Sequence, residues 1–218
     1  MRTLKNISQW ETLMNLALPI LQDLPRDIPW ALGGGTALSL SLQHRISYDI
    51  DIFFEYTKAI REIARNPKTK EIALSIQFPG NYLKIEREEG EINFISAMNI
   101  TDYPHKNYLF QDQNIFIENV DEIIAKKLKY RSSRLNIRDV FDLAASINND
   151  QNILNRMCNI EDIANELNTA YNRINLLIKS RIKIDIITNN EYLHKNMFDI
   201  TISALNDILD KDTDSSPR

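Results

Sequence analysis

The sequence predicts an α+β protein: a front part in which strands and helices combine around a mixed sheet, followed by a mostly helical back part. Three observations carry that expectation. The apolar run Trp30-Ala31-Leu32 stops at three consecutive glycines, Gly33, Gly34 and Gly35, and a helix-suited stretch follows from Thr36. Tyr48 to Phe54 alternates apolar and acidic residues with the period of a half-buried strand. Beyond Pro104 strand signals become sparse and apolar residues recur at helical spacing. The expected division is an α/β core over 1–104, a mostly helical domain over 105–209, and a disordered tail over 210–218 with its Ser215-Ser216-Pro217 run.

Each element follows from local chemistry. Trp10, Leu13, Met14, Ala17 and Leu18 line one side of a leading helix over 7–21, which Ser8 could cap. Pro25 and Pro29 then break the chain before the first strand. Thr36 is placed to cap the helix after the glycines. Thr57 to Arg65 reads as a connecting helix. Ile72 to Phe78 and Tyr82 to Glu86 read as strands around the turn Pro79-Gly80-Asn81, and Gly90 opens a further strand, Glu91 to Ile95. In the back part only Ile115-Phe116-Ile117 suggests a strand. Helices are expected from Asn119 or Asp121 to Tyr130, and over 138–147, 159–167, 171–187 and 196–209.

Composition narrows the class. At 218 residues the chain exceeds one average domain and falls short of two, and 43% hydrophobic with 26% charged residues is a globular balance. A net charge of −4 argues against coating nucleic acid by bulk charge, though a local basic strip could still hold a phosphate backbone. The lone Cys158 has no internal disulfide partner and reads as a packed small side chain. With no secretory apolar segment and no apolar run of about 18 residues, the expected location is the cytoplasm, away from membranes.

Three segments can carry chemistry. Asp49 and Asp51 leave the same strand face about 6.6 Å apart while Ile50 and Ile52 turn inward. Such a pair can hold Mg²⁺ together with phosphate oxygens, or can simply be a solvated acidic face. A strand-to-helix glycine turn offers backbone N–H groups at the positive end of a helix dipole, a seat for phosphate, or serves only a positive φ. It is neither a Walker motif nor a dinucleotide fingerprint, whose spacings differ. From Lys126 to Arg138 six basic residues occur without an acid, and the segment Arg138-Asp139-Val140-Phe141-Asp142-Leu143 follows. That run is a solvated face or a contact for a triphosphate or an RNA backbone. His44, His105 and His194 show no metal-ligand spacing, and Tyr103, Tyr108 and Phe110 either stack a base or fill a domain junction.

Together these segments resemble the AbiEii/AbiGii-type nucleotidyltransferases, abortive-infection toxins of the polymerase-β-like nucleotidyltransferase superfamily. The resemblance rests on Leu32-Gly33-Gly34-Gly35-Thr36-Ala37-Leu38, on His44-Arg45-x-Ser47-x-Asp49-x-Asp51-x-Phe53, on Ala125-x-Lys127-Leu128, and on Arg138-Asp139-x-x-Asp142-Leu143. It implies a nucleotidyltransferase fold for the front domain and a helical bundle behind it. It also implies transfer of a nucleotide from an NTP to an RNA, with tRNA the favoured acceptor, by attack of a hydroxyl on the α-phosphorus and release of pyrophosphate. Gly34, Gly35, Thr36 and Arg138 would bind the nucleotide, Asp49 and Asp51 would carry Mg²⁺, with Mn²⁺ a substitute, and Lys127 and Asp139 would complete the catalytic set. A cognate antitoxin is the implied protein partner.

One position departs from the pattern. The superfamily places a third acid on a neighbouring strand, where this chain has Asn93; Glu91 on the same face or Asp139 would then supply the carboxylate. A neutral amide is no general base. The residues therefore leave two other readings open: nucleotidylation of a protein hydroxyl, and a catalytically inactive nucleotide-binding or interaction module.

Overall fold

A computed structural model of the chain describes residues 8–180 and 185–214. It divides into two compact units, Met1–Ser41 with Ile46–Asn119 and Leu42–Arg45 with Val120–Arg218.

The first unit is built on a mixed seven-stranded sheet. Its strands are β1 (Ala31–Gly33), β2 (Ile50–Phe54), β3 (Ser75–Gln77), β4 (Tyr82–Glu86), β5 (Glu91–Ser96), β6 (His105–Phe110) and β7 (Gln113–Glu118), in the spatial order β3-β4-β5-β2-β1-β7-β6. β2 runs parallel to β5 and β1 parallel to β7, while the other neighbours are antiparallel. Alternation along the central strands divides the sheet's faces. Ile50, Ile52 and Phe54 of β2, Ile92 and Phe94 of β5, and Leu83 and Ile85 of β4 are buried on one face. Helices α1 (Trp10–Gln22) and α3 (Thr57–Arg65) contact these strands, and the rings of Phe54 and Phe94 meet at 6.4 Å. Burying each such side chain contributes roughly 1.5–3 kcal/mol. The opposite face carries Asp51, Phe53 and Asn93, all half-buried.

Several local expectations are corrected. Helix α2 (Gly34–Leu42) begins at the second glycine, so Thr36 lies inside its first turn and is not its cap. Ser8 does not cap α1 either; its hydroxyl donates to the Ser47 carbonyl. The chain over 67–72 is helix α4 (Pro67–Ile72), with Pro67 at its first position and the Asn66 side chain accepting from Lys68 N–H, which confines β3 to three residues. β6 replaces a stretch without strand periodicity and forms a hairpin with β7, which places residues 105–118 in the sheet.

The second unit is helical: α5 (Val120–Arg131), a single 3-10 turn (Ser132–Arg134), α6 (Ile137–Asn149), α7 (Ile153–Cys158), α8 (Glu161–Lys179) and α9 (Glu191–Asp214). α8 merges the two helices expected over 159–167 and 171–187, the latter's residues 181–184 lying outside the described residues. α6 packs on α9, and α8 on α5 and α9, through Val140, Phe141, Leu143, Ile163, Leu167, Ile174 and Leu205 among others. The tail expected from 210 overlaps α9 as far as Asp214; its residues 215–218 lie outside the described residues.

Candidate active site

The front unit gathers its polar residues around the β1–α2 turn. Gly34 has φ +62°, a conformation glycine adopts without the strain a side chain brings. A Cβ there would also lie 2.0 Å from Oδ2 of Asp51, so the glycine makes room for that carboxylate. Gly33 is glycine for a different reason. It sits in ordinary strand backbone, yet a Cβ would fall 2.1 Å from Oε2 of Glu118 and 2.5 Å from Cδ2 of Phe53. Gly35 lies half-buried in the first helical turn, where backbone N–H groups have no partner within the helix. Thr36 is buried and its hydroxyl donates to the Asp49 carbonyl, which ties the helix to the start of β2. Replacing Gly34 by Ala should therefore both strain the backbone and displace the Asp51 carboxylate. The expected result is a Tm lowered by several degrees in differential scanning calorimetry; a wild-type Tm would overturn this account of the turn.

The two aspartates are held by β5. Oδ1 of Asp49 accepts the Glu91 backbone N–H at 3.0 Å, and Oδ1 of Asp51 accepts the Asn93 amide at 3.0 Å. The second bond follows from register, since Asp51 stands opposite Asn93 in the parallel pair. Glu91 points its carboxylate at Lys84 of β4, 2.7 Å away, and this hydrogen bond holds the Lys84 ammonium above the usual lysine range. Glu91 is thus matched by a cation, and Asn93 is a hydrogen-bond donor to Asp51. Among the described residues no three His, Cys, Asp or Glu side chains gather as a metal cluster. A pair of carboxylates fits Mg²⁺ in the manner that completes its octahedron with substrate phosphates and water.

Lys127, Asp139 and Asp142 meet inside the helical unit, together with His44 and Arg45 of the four-residue segment assigned to it. Lys127 Nζ lies 2.6 Å from Asp139 Oδ1 and 3.0 Å from Asp142 Oδ2. Asp142 is also engaged by His44 Nε2 at 2.7 Å and by Arg45, whose Nε and Nη2 donate at 2.6 and 3.0 Å. Burial opposes ionisation of Asp142, but the Lys127 charge, with His44 and Arg45, holds its carboxyl well below the usual carboxylate range. Burial likewise works against the Lys127 charge, and Asp142 and Asp139 override it to keep the ammonium above the usual lysine range. Asp139 closes a capping box with Asn136 at the start of α6 and takes a further contact from Arg131 at 3.1 Å.

The basic run is accordingly not a bare cationic strip. Lys126 pairs with Glu122, Lys129 with Asp162, Lys127 and Arg131 with the acids just named, and Arg134 donates to the Tyr130 carbonyl. Arg138 is exposed on α6. Sequence reasoning missed Glu118, whose strand signal ended one residue earlier, and Asp142 as the centre of the helical unit's ion network.

The sequence model described as nucleotidyl transferase AbiEii toxin, type IV toxin–antitoxin system, matches residues 17–176. Among solved structures, a nucleotidyltransferase crystal structure from Helicobacter pylori aligns over 97% of this chain and 100% of its own, with TM-score 0.58 and 17% identity. JHP933 from Helicobacter pylori aligns over 96% and 97%, with TM-score 0.55 and 18% identity. ANT(2″)-Ia in complex with adenylyl-2″-tobramycin aligns over 67% of this chain and 94% of its own, with TM-score 0.50 and 13% identity. At these identities the likeness is one of fold. No curated protein sequence matches the chain. With the family match covering most of the sequence, and the glycine turn and aspartate pair inside it, the chain belongs to the AbiEii family of nucleotidyl transferase toxins.

Proposed function

We propose that the chain transfers a nucleotide from an NTP to an RNA acceptor, favouring tRNA, in a Mg²⁺-dependent reaction, as the toxin of a toxin–antitoxin pair. The observation that carries this reading is the seating of Asp51 against Gly34. It sets one carboxylate of the Asp49/Asp51 pair beside the N-terminus of α2, an acid suited to a metal next to amides suited to an anion.

In this reading the amides of Gly34, Gly35 and Thr36 bind the triphosphate, Thr36 contributing through its backbone because its hydroxyl is engaged with Asp49. Asp49 and Asp51 hold Mg²⁺, which when bound supplies charge neutralisation for the phosphates. The acceptor hydroxyl attacks in line, its oxygen bonding to the α-phosphorus as the bond to the β-phosphate oxygen breaks and pyrophosphate departs. Catalysis of this kind is positioning plus electrostatics. Lys127 and Asp139 are assigned to the catalytic set by family resemblance, and Arg138, exposed on α6, to the nucleotide. Among the described residues no helix is long and apolar enough to cross a membrane, and the cytoplasm, where NTP and RNA meet, is the proposed location. A cognate antitoxin is the proposed partner, as the family's two-component description implies.

The test is transfer of α-labelled NTPs, each of the four in turn, to total cellular RNA with Mg²⁺, beside Asp49→Ala and an EDTA control. Label on a tRNA-sized band that requires both Asp49 and metal is the expected result. Label on added protein extract in place of RNA would make the acceptor a protein hydroxyl, and no label on either would identify a binding module.

A further inference from the structure

One face of the sheet carries two neighbouring rows of side chains. The first holds Asn93, Asp51 and Gly33, which stand opposite one another in the pairings of β5, β2 and β1. The second lies two residues along each strand, about 6.6 Å away, and runs Ile95, Phe53, Ala31. The parallel pairing of Leu32 with Ile117 sets Phe116 of β7 beside Ala31, and Asn107 of β6 stands opposite Phe116. This second row holds no charged residue. Phe53 and Ile95 are half-buried, Ala31 is buried, Phe116 is 50% exposed and Asn107 is exposed. The Phe53 ring leans against Gly33, so the row abuts the glycine turn, and the His105 ring lies 6.2 Å from that of Phe116. Two of the aromatics that the sequence offered for stacking are placed elsewhere: Tyr108 and Phe110 meet Trp10 of α1 at 6.4 and 5.2 Å, on the opposite face.

Chain direction orders these rows relative to the phosphate seat. β1 runs from Ala31 to Gly33 and then enters α2, so the N-terminus of α2 lies beyond the row of Asp51 and Gly33. The uncharged row lies on the other side of it. In an in-line displacement the attacking hydroxyl approaches the phosphorus opposite the leaving group. With pyrophosphate leaving at the α2 amides, the hydroxyl arrives from the side of Phe53 and Phe116. An uncharged row with exposed ring surface suits the planar faces of unpaired bases, which stack on aromatic side chains. The Asn107 amide offers both a donor and an acceptor to a base edge.

We propose that this row is the acceptor platform of the site: unpaired nucleobases at the end of the RNA acceptor stack on Phe116 and bring a terminal hydroxyl toward Asp51. The inference deepens the nucleotidyl-transfer reading given above and rests on it.

The probe is a fluorescein-labelled single-stranded octaribonucleotide of cytidine and adenosine, followed by anisotropy on the full-length protein without NTP, so that no turnover is needed. Phe116→Ala and Phe116→Leu are each expected to weaken binding by about tenfold or more, and Phe116→Tyr to bind as wild type does. Leucine keeps an apolar side chain and loses the ring, so its effect reports stacking. Phe78→Ala, beyond β3 at the far edge of the sheet, removes a ring that is 45% exposed and should leave binding unchanged. In the transfer assay Phe116→Ala should raise KM for RNA by about tenfold, with KM for the NTP within about twofold of wild type. Should Phe116→Ala fail to fold, the comparison of Phe116→Leu with Phe116→Tyr decides. Octamer binding that is absent in wild type, equal in Phe116→Leu, or equally weakened in Phe78→Ala overturns the inference, as does an unchanged KM for RNA. Label on a protein in place of RNA, lost in Phe116→Ala, overturns it in favour of a protein acceptor on this row. If wild type labels no acceptor, the nucleotidyl-transfer reading fails, while ring-dependent octamer binding still supports the row as a base-binding surface.

Discussion

Asp51→Asn is expected to lower nucleotide transfer by roughly a thousandfold or more while leaving the melting temperature at that of wild type. Asparagine matches aspartate in volume, so the side chain still fits the space left by the absent Cβ of Gly34. Its amide oxygen can still accept from Asn93. What disappears, in the proposed mechanism, is one of the two charges that would hold a divalent cation against the phosphates. Stability should not fall, because Asp51 is only half-buried and the asparagine keeps both its volume and its acceptor oxygen. Transfer assays beside calorimetry check both halves. A Tm several degrees lower would show that the carboxylate serves the fold, and an unchanged rate would remove Asp51 from the metal site.

How far this site could be read from the chain depended on whether its parts are local. The alternation of Ile50, Asp51, Ile52 and Phe53 fixed in advance which side chains face the core and which leave it, because the strand period permits one assignment once a face is buried. Helix α3 begins and ends where its sequence pattern does, at Thr57 and Arg65. Thr36 shows the limit of local rules: its cap-like position was overridden by the Asp49 carbonyl thirteen residues away in sequence. β6 was hidden because His105 to Phe110 opens on three polar residues and closes on three apolar or aromatic ones, without the alternation that marks a half-buried strand. Helix α4 did carry a signal, Asn66-Pro67, between the helix expected over 57–65 and the strand expected from Ile72. Glu118 could not be assigned at all without the parallel pairing of β1 with β7, a contact between residues 85 apart in the chain. The same holds for the basic run, whose lysines and arginines were visible while the acids that pair with them were scattered from Glu122 to Asp162.

Asp142→Ala is the substitution expected to cost most in stability, on the order of 3–5 kcal/mol, with a fall in Tm on the order of 10 °C. Asp142 is fully buried and faces three cationic or hydrogen-bonding groups: Lys127, Arg45 and His44. Its loss does not strand Lys127, which keeps Asp139 at 2.6 Å. It takes from Arg45, whose side chain is only 7% exposed, the two hydrogen bonds that Asp142 accepted. Removing that guanidinium as well should therefore return part of the loss: Asp142→Ala with Arg45→Met should melt above Asp142→Ala alone, as a double-mutant cycle would show. The pH dependence has a definite sign. The folded carboxyl of Asp142 titrates below its ordinary value of 3.8, so its stabilisation is complete above that range and is lost as pH falls beneath it. The gap in Tm between wild type and Asp142→Ala should be widest near neutrality and narrow below about pH 4. A gap independent of pH would mean that packing, not charge, makes Asp142 necessary. Because Arg45 lies four residues before Asp49 in the chain, a wild-type fold with reduced transfer in Arg45→Lys would add that this buried pairing also steadies the segment leading into the aspartate pair.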